Sequence, residues 1–430
     1  MQSTPRVIVV GGGLAGLVAA RHLADDGADV TLLERRDTVG GRVRTHEQDG
    51  YRFDRGFQVL FPAYPAVRRE LDLEALDLQR FTSGATIVGT DHRTVLADPR
   101  QRPELLPATL ANSDVTLGDQ LRLAWLWWEL RRTDPAEFFD DERRPDTSID
   151  RYLRQRGFSD RFIERFFAPF YGGITLDRSL STSSRVFEYT FRTLAEGGAA
   201  VPAAGMGAIP AQLADRVWTA GGALETGVTV TDVSSTDRSA TVTTADGETL
   251  AADAVVVAAD PPTARELTGL ESIPTGARAC VTQYYALPDA VDLETGKRLL
   301  LNAVDDDAPN HVVPHSAVAP AYAPDGSTLI SATYLGEPDH DETQLAERTR
   351  LALEAWYPDQ RLDGLEMLRT DRIEFAQFDQ PPGIHDRLPD ARDLEGSVYL
   401  AGDYTRWSSI QGAMESGREA AQAVLEDVSQ

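Results

Sequence analysis

Val7, Ile8, Val9 and Val10 form an apolar, β-branched run without polar alternation, the pattern of a strand buried on both faces of a parallel sheet. Residues 17–24 then predict a helix, and residues 28–33 a second strand ending at Glu34. The chain therefore opens with a βαβ unit. Further strands are predicted at 228–233, 240–244 and 254–259, with Asp246-Gly247 as a hairpin turn. Residues 398–401 read as another strand, Gly402-Asp403 as a turn, and a helix runs from near Ile410 to about Leu425. Between about 84 and 198 the short apolar strands give way to arginine- and aromatic-rich stretches at helical spacing, which predict a mostly helical insertion. Residues 266–389 carry further short strands, turns and a helix over 348–356. The fold class is α/β.

At 430 residues and 42% hydrophobic composition the chain can bury a sizeable core, in about two to three domains. Acidic residues outnumber basic ones 68 to 42, a formal charge of −26, which repels nucleic acid and anionic lipid headgroups. Nucleic acid is excluded as a partner. Of the basic residues only Lys297 is a lysine. A carboxylate-rich surface repels itself unless concentrated cations screen it, so a salt-rich, halophilic cytoplasm is expected. The single cysteine, Cys280, cannot form an internal disulfide, which favours a reducing compartment. Arg6 and the apolar run after it imitate a signal peptide, but three successive glycines fit a strand entering a helix better. No eighteen consecutive residues are apolar, so no transmembrane segment is expected.

The first strand is followed by Gly11, Gly12, Gly13, Leu14, Ala15 and Gly16, a G-x-G-x-x-G turn in its full strand–turn–helix context. Gly11 permits the tight turn, Gly13 lets the backbone approach a pyrophosphate, and Gly16 lets helix and strand pack closely. The helix N-terminus presents unpaired N–H groups and a positive dipole end to phosphates. Glu34, eighteen residues past Gly16, is placed to accept from a ribose 2′-OH and would repel a 2′-phosphate. Val39, Gly40, Gly41, Arg42 and Val43 then add a second close-approach turn and a fixed cation.

With these residues the chain resembles the FAD-dependent amine oxidase and phytoene desaturase superfamily, whose opening joins the dinucleotide fingerprint, a terminal Glu and a G-G-R segment. Val201-Pro202 and Gly205 to Pro210 resemble the superfamily segment that returns the chain to the cofactor domain. Ser409 to Gly417, after Gly402-Asp403, resembles its flavin-binding end. The resemblance implies a Rossmann-type FAD-binding domain built from residues 1–83, 201–265 and 390–430. It implies an interleaved α+β substrate domain whose helical part is 84–200 and whose sheet part is 266–389. It further implies that Gly11, Gly13, Leu14, Ala15, Gly16, Glu34, Arg35, Gly41 and Arg42 serve the dinucleotide, with Arg42 near the pyrophosphate. Val230 would meet the adenine, and Asp403, Ile410 and Ala413 the ribityl and flavin end. Certain amine oxidases attach FAD through a cysteine shortly before Pro-Pro-Gly, but residues 372–380 ahead of Pro381-Pro382-Gly383 contain none. Noncovalent FAD is expected.

Gly402-Asp403-Tyr404-Thr405 followed by Ser409-Ile410-Gln411-Gly412-Ala413 looks most like carotenoid desaturases. Flavin amine oxidases usually carry an aromatic where Ser409 stands, and some use a lysine near the flavin, for which Lys297 is the only candidate. The expected reaction is hydride removal from an apolar, isoprenoid-like substrate, with oxygen, a quinone or a protein as electron acceptor. Amine or protoporphyrinogen-like oxidation is the alternative, and a non-redox isomerase or scaffold role a second one. No catalytic side chain is evident, and desaturation needs few, because the cofactor does the redox step. Trp125, Trp127, Trp128 and the six aromatics of residues 158–171 are read as plain core, as a substrate tunnel or, last, as peripheral membrane contact. The chemistry is not expected to need a metal, since Pro314 breaks any helix that would align His311 with His315. Asp305, Asp306 and Asp307 are expected in a solvated loop. Asp54-Arg55-Gly56-Phe57-Gln58 departs from the superfamily by placing a bulky Phe57 near the expected flavin face.

Overall fold

The first strand, Arg6–Val10, is the middle of a five-stranded sheet in which every pairing is parallel. Ala254–Val257 and Asp29–Glu34 flank it, and Val398–Leu400 and Ala223–Thr226 form the edges. Val7, Ile8 and Val9 are wholly buried, and each contributes roughly 1.5–3 kcal/mol of hydrophobic stabilisation. That is why the run shows no polar alternation. This computed structural model describes residues 4–89, 92–97, 112, 114–139, 144–236, 239–287, 291, 293–304 and 307–428.

Helix Leu14–Asp25 covers one face of the sheet, and the last helix, Ile410–Val428, crosses it closely. The approach depends on Gly417, where a Cβ would stand 2.2 Å from the Ala15 carbonyl oxygen. On the other face a three-stranded antiparallel sheet, Val230–Thr236, Ser239–Thr244 and Thr249–Ala252, buries Val230, Val242 and Ala252 against Ile8, Val255 and Val257.

The second large sheet has seven strands in the order Glu366–Phe378, Ala277–Leu287, Thr328–Leu335, His311–Val313, Leu299–Asn302, Gly84–Val88, Arg93–Ala97. Helix Glu342–Trp356 backs one face through Leu353 and Trp356, which pack with Val312, Ile330 and Ala332. The stretch 84–200, expected to be helical, thus opens with two strands. Gly84–Val88 pairs in parallel with Leu299–Asn302, more than two hundred positions away, a partnership that no local pattern announces.

The remainder of that stretch is helical, with Leu117–Leu130, Ile149–Gln155, Ala168–Thr175 and Ser184–Gly197 as its main elements. Its aromatics divide. Phe158, Phe162 and Phe167 form core with Phe187, Phe162 and Phe167 having ring centroids 4.8 Å apart. Phe166 and Phe170 are left on a cavity wall, helped by a π-helical turn at Ile163–Phe167 that widens the register. Asp305 and Asp306 lie outside the described residues, whereas Asp307 is exposed and paired with Arg348 at 3.0 Å.

Candidate active site

A cavity of about 990 Å³ opens where the parallel strands end, bounded by the start of the last helix, the seven-stranded sheet and the aromatic helices. Gly11, Gly13, Leu14, Ala15, Glu34, Arg35, Gly41, Arg42, Val230, Asp403, Ile410 and Ala413 all border it. Gly16 does not. Its Cβ position is 2.0 Å from the Gly11 carbonyl oxygen, so its absence of a side chain serves helix–strand packing alone.

The glycines of the first turn have separate reasons. Gly11 has φ +112°, and a Cβ there would meet the Ala258 carbonyl oxygen at 2.7 Å. Gly13 has an ordinary φ of −75° and no atom within 4 Å of a Cβ. Protein packing does not require a glycine at 13, and the space it leaves belongs to the cavity. No side chain caps the helix that follows, so its first N–H groups and the positive end of its dipole face the cavity. The second turn is tied to the first by Gly40 N–H donating to Gly12 O at 2.7 Å. A Cβ on Gly41 would come within 3.2 Å of Gly13 Cα.

Glu34 is buried and accepts from Gly12 N–H at 2.7 Å and from Arg36 N–H at 2.9 Å, one bond to each oxygen. Each oxygen retains a lone pair. Arg42 spans both ends of the chain: Nη2 donates to Asp403 Oδ1 at 2.7 Å and Nη1 to Ala376 O at 3.2 Å. Burial alone would lower the Arg42 pKa, but the Asp403 charge and hydrogen bond outweigh it and raise the value. Asp403 Oδ2 accepts from Ser408 Oγ at 2.8 Å. Ser409 caps the last helix, its Oγ accepting from Gly412 N–H at 2.8 Å, which leaves Ile410 and Ala413 on the wall.

The wall thus suits an extended, doubly phosphorylated dinucleotide. Two glycine turns, a helix N-terminus and Arg42 share this wall; Glu34 O accepts from Val228 N–H at 2.9 Å beside Val230, and Arg42 joins Asp403. Gln58 supplies an independent test. Its Nε2 donates to Arg42 O at 2.9 Å and Arg55 O at 3.2 Å, while its buried Oε1 has no partner among the described residues. A polyol or amide donor of a bound cofactor that reached this acceptor would satisfy it.

Beyond this cradle the cavity becomes an apolar chamber walled by Phe57, Phe166, Phe170, Trp127, Leu301 and Trp407. Phe57 stands edge-on to Phe81, with centroids 6.1 Å apart, and is tilted against His311 at 5.2 Å. Lys297 is not on the wall; its Nζ donates to Val318 O at 3.2 Å. Cys280 is on the wall, and burial pushes its thiol up to about 12, too high for a nucleophile. Residues that sequence reasoning had not placed at the site, Gln58 and His311 among them, come from a loop and a short strand. Only alternation against Val312 marks His311 as facing away from the Glu342–Trp356 helix.

The family model described as "Flavin containing amine oxidoreductase" matches residues 14–425. Among curated relatives, a phytoene dehydrogenase of Streptomyces griseus is 30% identical over 294 residues, 61% of this chain and 56% of that protein. A carotenoid 3,4-desaturase of Haloarcula japonica is 60% identical over 50 residues, 12% of this chain and 10% of that protein. The matched regions therefore span about half, or less, of these relatives' lengths. Among solved structures, an oxidoreductase from Methanosarcina mazei superposes with a TM-score of 0.75 at 18% identity, covering 98% of this chain and 100% of the other, which is a likeness of fold.

Proposed function

Because the chain belongs to the flavin-containing amine oxidoreductase family and is an FAD-dependent oxidoreductase, we propose that it desaturates an apolar, isoprenoid or carotenoid-like substrate by removal of a hydride from one carbon and a proton from its neighbour, the two hydrogens that FAD would take up. The observation that carries this reading is the chamber itself: aromatic and aliphatic side chains wall the space adjoining the cofactor cradle. FAD, when bound, supplies the hydride acceptor.

The chain's own residues have three tasks. Gly13, Leu14, Ala15, Gly41 and Arg42 would hold the pyrophosphate, Glu34 and Arg35 the ribose, and Val230 the adenine. Asp403, Ile410 and Ala413 would hold the ribityl and flavin end, where the positive end of the last helix would favour negative charge. The aromatic walls exclude water and hold a saturated carbon against the cofactor, which is what a reaction without side-chain acid–base chemistry needs. Amine oxidation is served less well. Lys297 is engaged elsewhere, and the residue at the position of the amine cage, Ser409, is spent on a helix cap.

A route for such a substrate is supported by helix Leu117–Leu130. Leu123, Ala124 and Trp127 line the cavity, Trp128 both lines it and is part-exposed, and Leu117, Leu121 and Trp125 are exposed on the same helix. Arg132 stacks on Trp128 at 3.8 Å. An exposed apolar stripe beside an apolar cavity suits peripheral contact with a membrane surface. No helix among the described residues is long and apolar enough to cross a membrane. A cytoplasmic location and an oxygen, quinone or protein acceptor complete the proposal.

The test is anaerobic mixing of purified holoenzyme with acyclic polyenes, and separately with a panel of amines, while the visible flavin absorbance is followed. Bleaching by a polyene and not by amines is expected. Bleaching by amines alone would overturn the substrate assignment.

A further inference from the structure

Two loops that border the cavity are tied to each other. Strands Asp29–Glu34 and Ala254–Val257 lie on either side of the first strand, and all three end at the same edge of the sheet, with Val10 in register with Leu33 on one side and with Val257 on the other. Arg35 directly follows the one strand, and Asp260 lies shortly after the other. With the first strand between them, the two loops start about 10 Å apart, two strand spacings. Arg35 Nη2 bridges that gap by donating to Asp260 Oδ2 at 2.9 Å. The pair therefore joins the loops that flank the Gly11–Gly13 turn, and both of its members border the cavity.

The two partners are held differently. Asp260 is a fixed post: its Oδ1 caps helix Pro261–Thr268, accepting from Thr263 N–H at 3.2 Å and from Thr263 Oγ1 at 2.9 Å. Arg35 is the movable arm, a long side chain whose partner is Asp260 alone among the hydrogen bonds and ion pairs of the described residues. The pair is also on the solvent side of the wall. Its side chains are 44% and 33% exposed, against 28% and 4% for Arg42 and Asp403. We propose that Arg35 and Asp260 form a strap across the adenosine part of the cradle, and that the bound dinucleotide leaves only after Arg35 swings off Asp260. The strap rests on the placing of the adenosine beside Glu34 and Val230 given above, and is independent of the substrate.

The experiment follows FAD release from holoenzyme, as the rise of free-flavin fluorescence after dilution. Asp260→Asn removes the charge and keeps the helix cap, since asparagine caps as well as aspartate. Were Asp260 to act by charge alone, its loss would relieve repulsion of the phosphates and slow release. The strap requires the reverse: Asp260→Asn and Arg35→Gln each release FAD about two- to fivefold faster, the range an exposed ion pair supplies, and the double variant releases it no faster than Arg35→Gln alone. Equal melting of the flavin-free proteins shows that each variant is folded. Glu34→Gln is the control for the placing of the adenosine and is expected to release FAD faster too. Slower or unchanged release from Asp260→Asn, or effects that add in the double variant, overturn the strap while faster release from Glu34→Gln leaves the placing standing. Unchanged release from Glu34→Gln overturns the placing and the strap with it.

Discussion

Gly13 and Gly16 occupy the same motif yet answer to different constraints. A methyl group at 16 has to displace backbone, since the Gly11 carbonyl oxygen is 2.0 Å away; overpacking of this kind costs about 1–3 kcal/mol. A methyl group at 13 meets nothing. Gly16→Ala is therefore expected to lower the melting temperature even of flavin-free protein. Gly13→Ala is expected to melt within about 0.5 kcal/mol of the parent when flavin-free and still to retain much less FAD through purification. Flavin absorbance per polypeptide and thermal melts of stripped protein separate the two. A Gly13→Ala protein that holds FAD normally would show that the phosphates lie elsewhere.

At the scale of elements, helix Leu117–Leu130 is amphipathic with an unusual division. A capping box starts it, with Thr116 Oγ1 accepting from Asp119 N–H at 3.1 Å and Asp119 Oδ2 accepting from Thr116 N–H at 3.2 Å. Its exposed side then carries Leu121 at 73% and Trp125 at 60% exposure. Replacing both by glutamine removes the stacking of Trp125 on Trp128, whose ring centroids are 5.0 Å apart, so stability is expected to fall only slightly, by about 0.5–1.5 kcal/mol, while binding to vesicles falls about tenfold or more. Co-sedimentation with liposomes measures it, and undiminished binding would assign membrane contact to another surface. Such elements differ in how far the sequence reveals them. The opening strand, its glycine turn and the last helix are legible because their constraints are local: burial on both faces removes polar residues, and close backbone approach demands glycine. Gly84–Val88 is not legible as a sheet member, because its partner Leu299–Asn302 is remote in sequence. The place of Phe57 against His311, and the removal of Lys297 from the site, depend on that same long-range pairing of strands. The residues expected at the cofactor cradle, Gly16 apart, accordingly border one cavity, whereas the walls of the substrate chamber come together only through pairings remote in sequence.

At the scale of the molecule, the charge of −26 is carried on 68 carboxylates against 42 basic side chains. Many are engaged in exposed pairs such as Arg350 with Glu347 and Glu354, or Arg392 with Glu426 and Asp427. Exposed pairs contribute little individually, and the unpaired excess repels itself until salt screens it over distances of roughly 3 Å near 1 M. Raising KCl from dilute buffer to molar concentration is expected to increase the melting temperature by about 5 °C or more. Equal melting at both concentrations would remove halophilic adaptation as the explanation of the composition. The cradle itself is assembled from remote pieces: strands from residues 6–34, 223–257 and 398–400 share one sheet, and Arg42 reaches Asp403 across it. During synthesis, the growing polypeptide can therefore bury its opening strand early but cannot clasp its flavin until the strand Val398–Leu400 and the helix Ile410–Val428 have left the ribosome, so cofactor capture waits on the emergence of all three pieces.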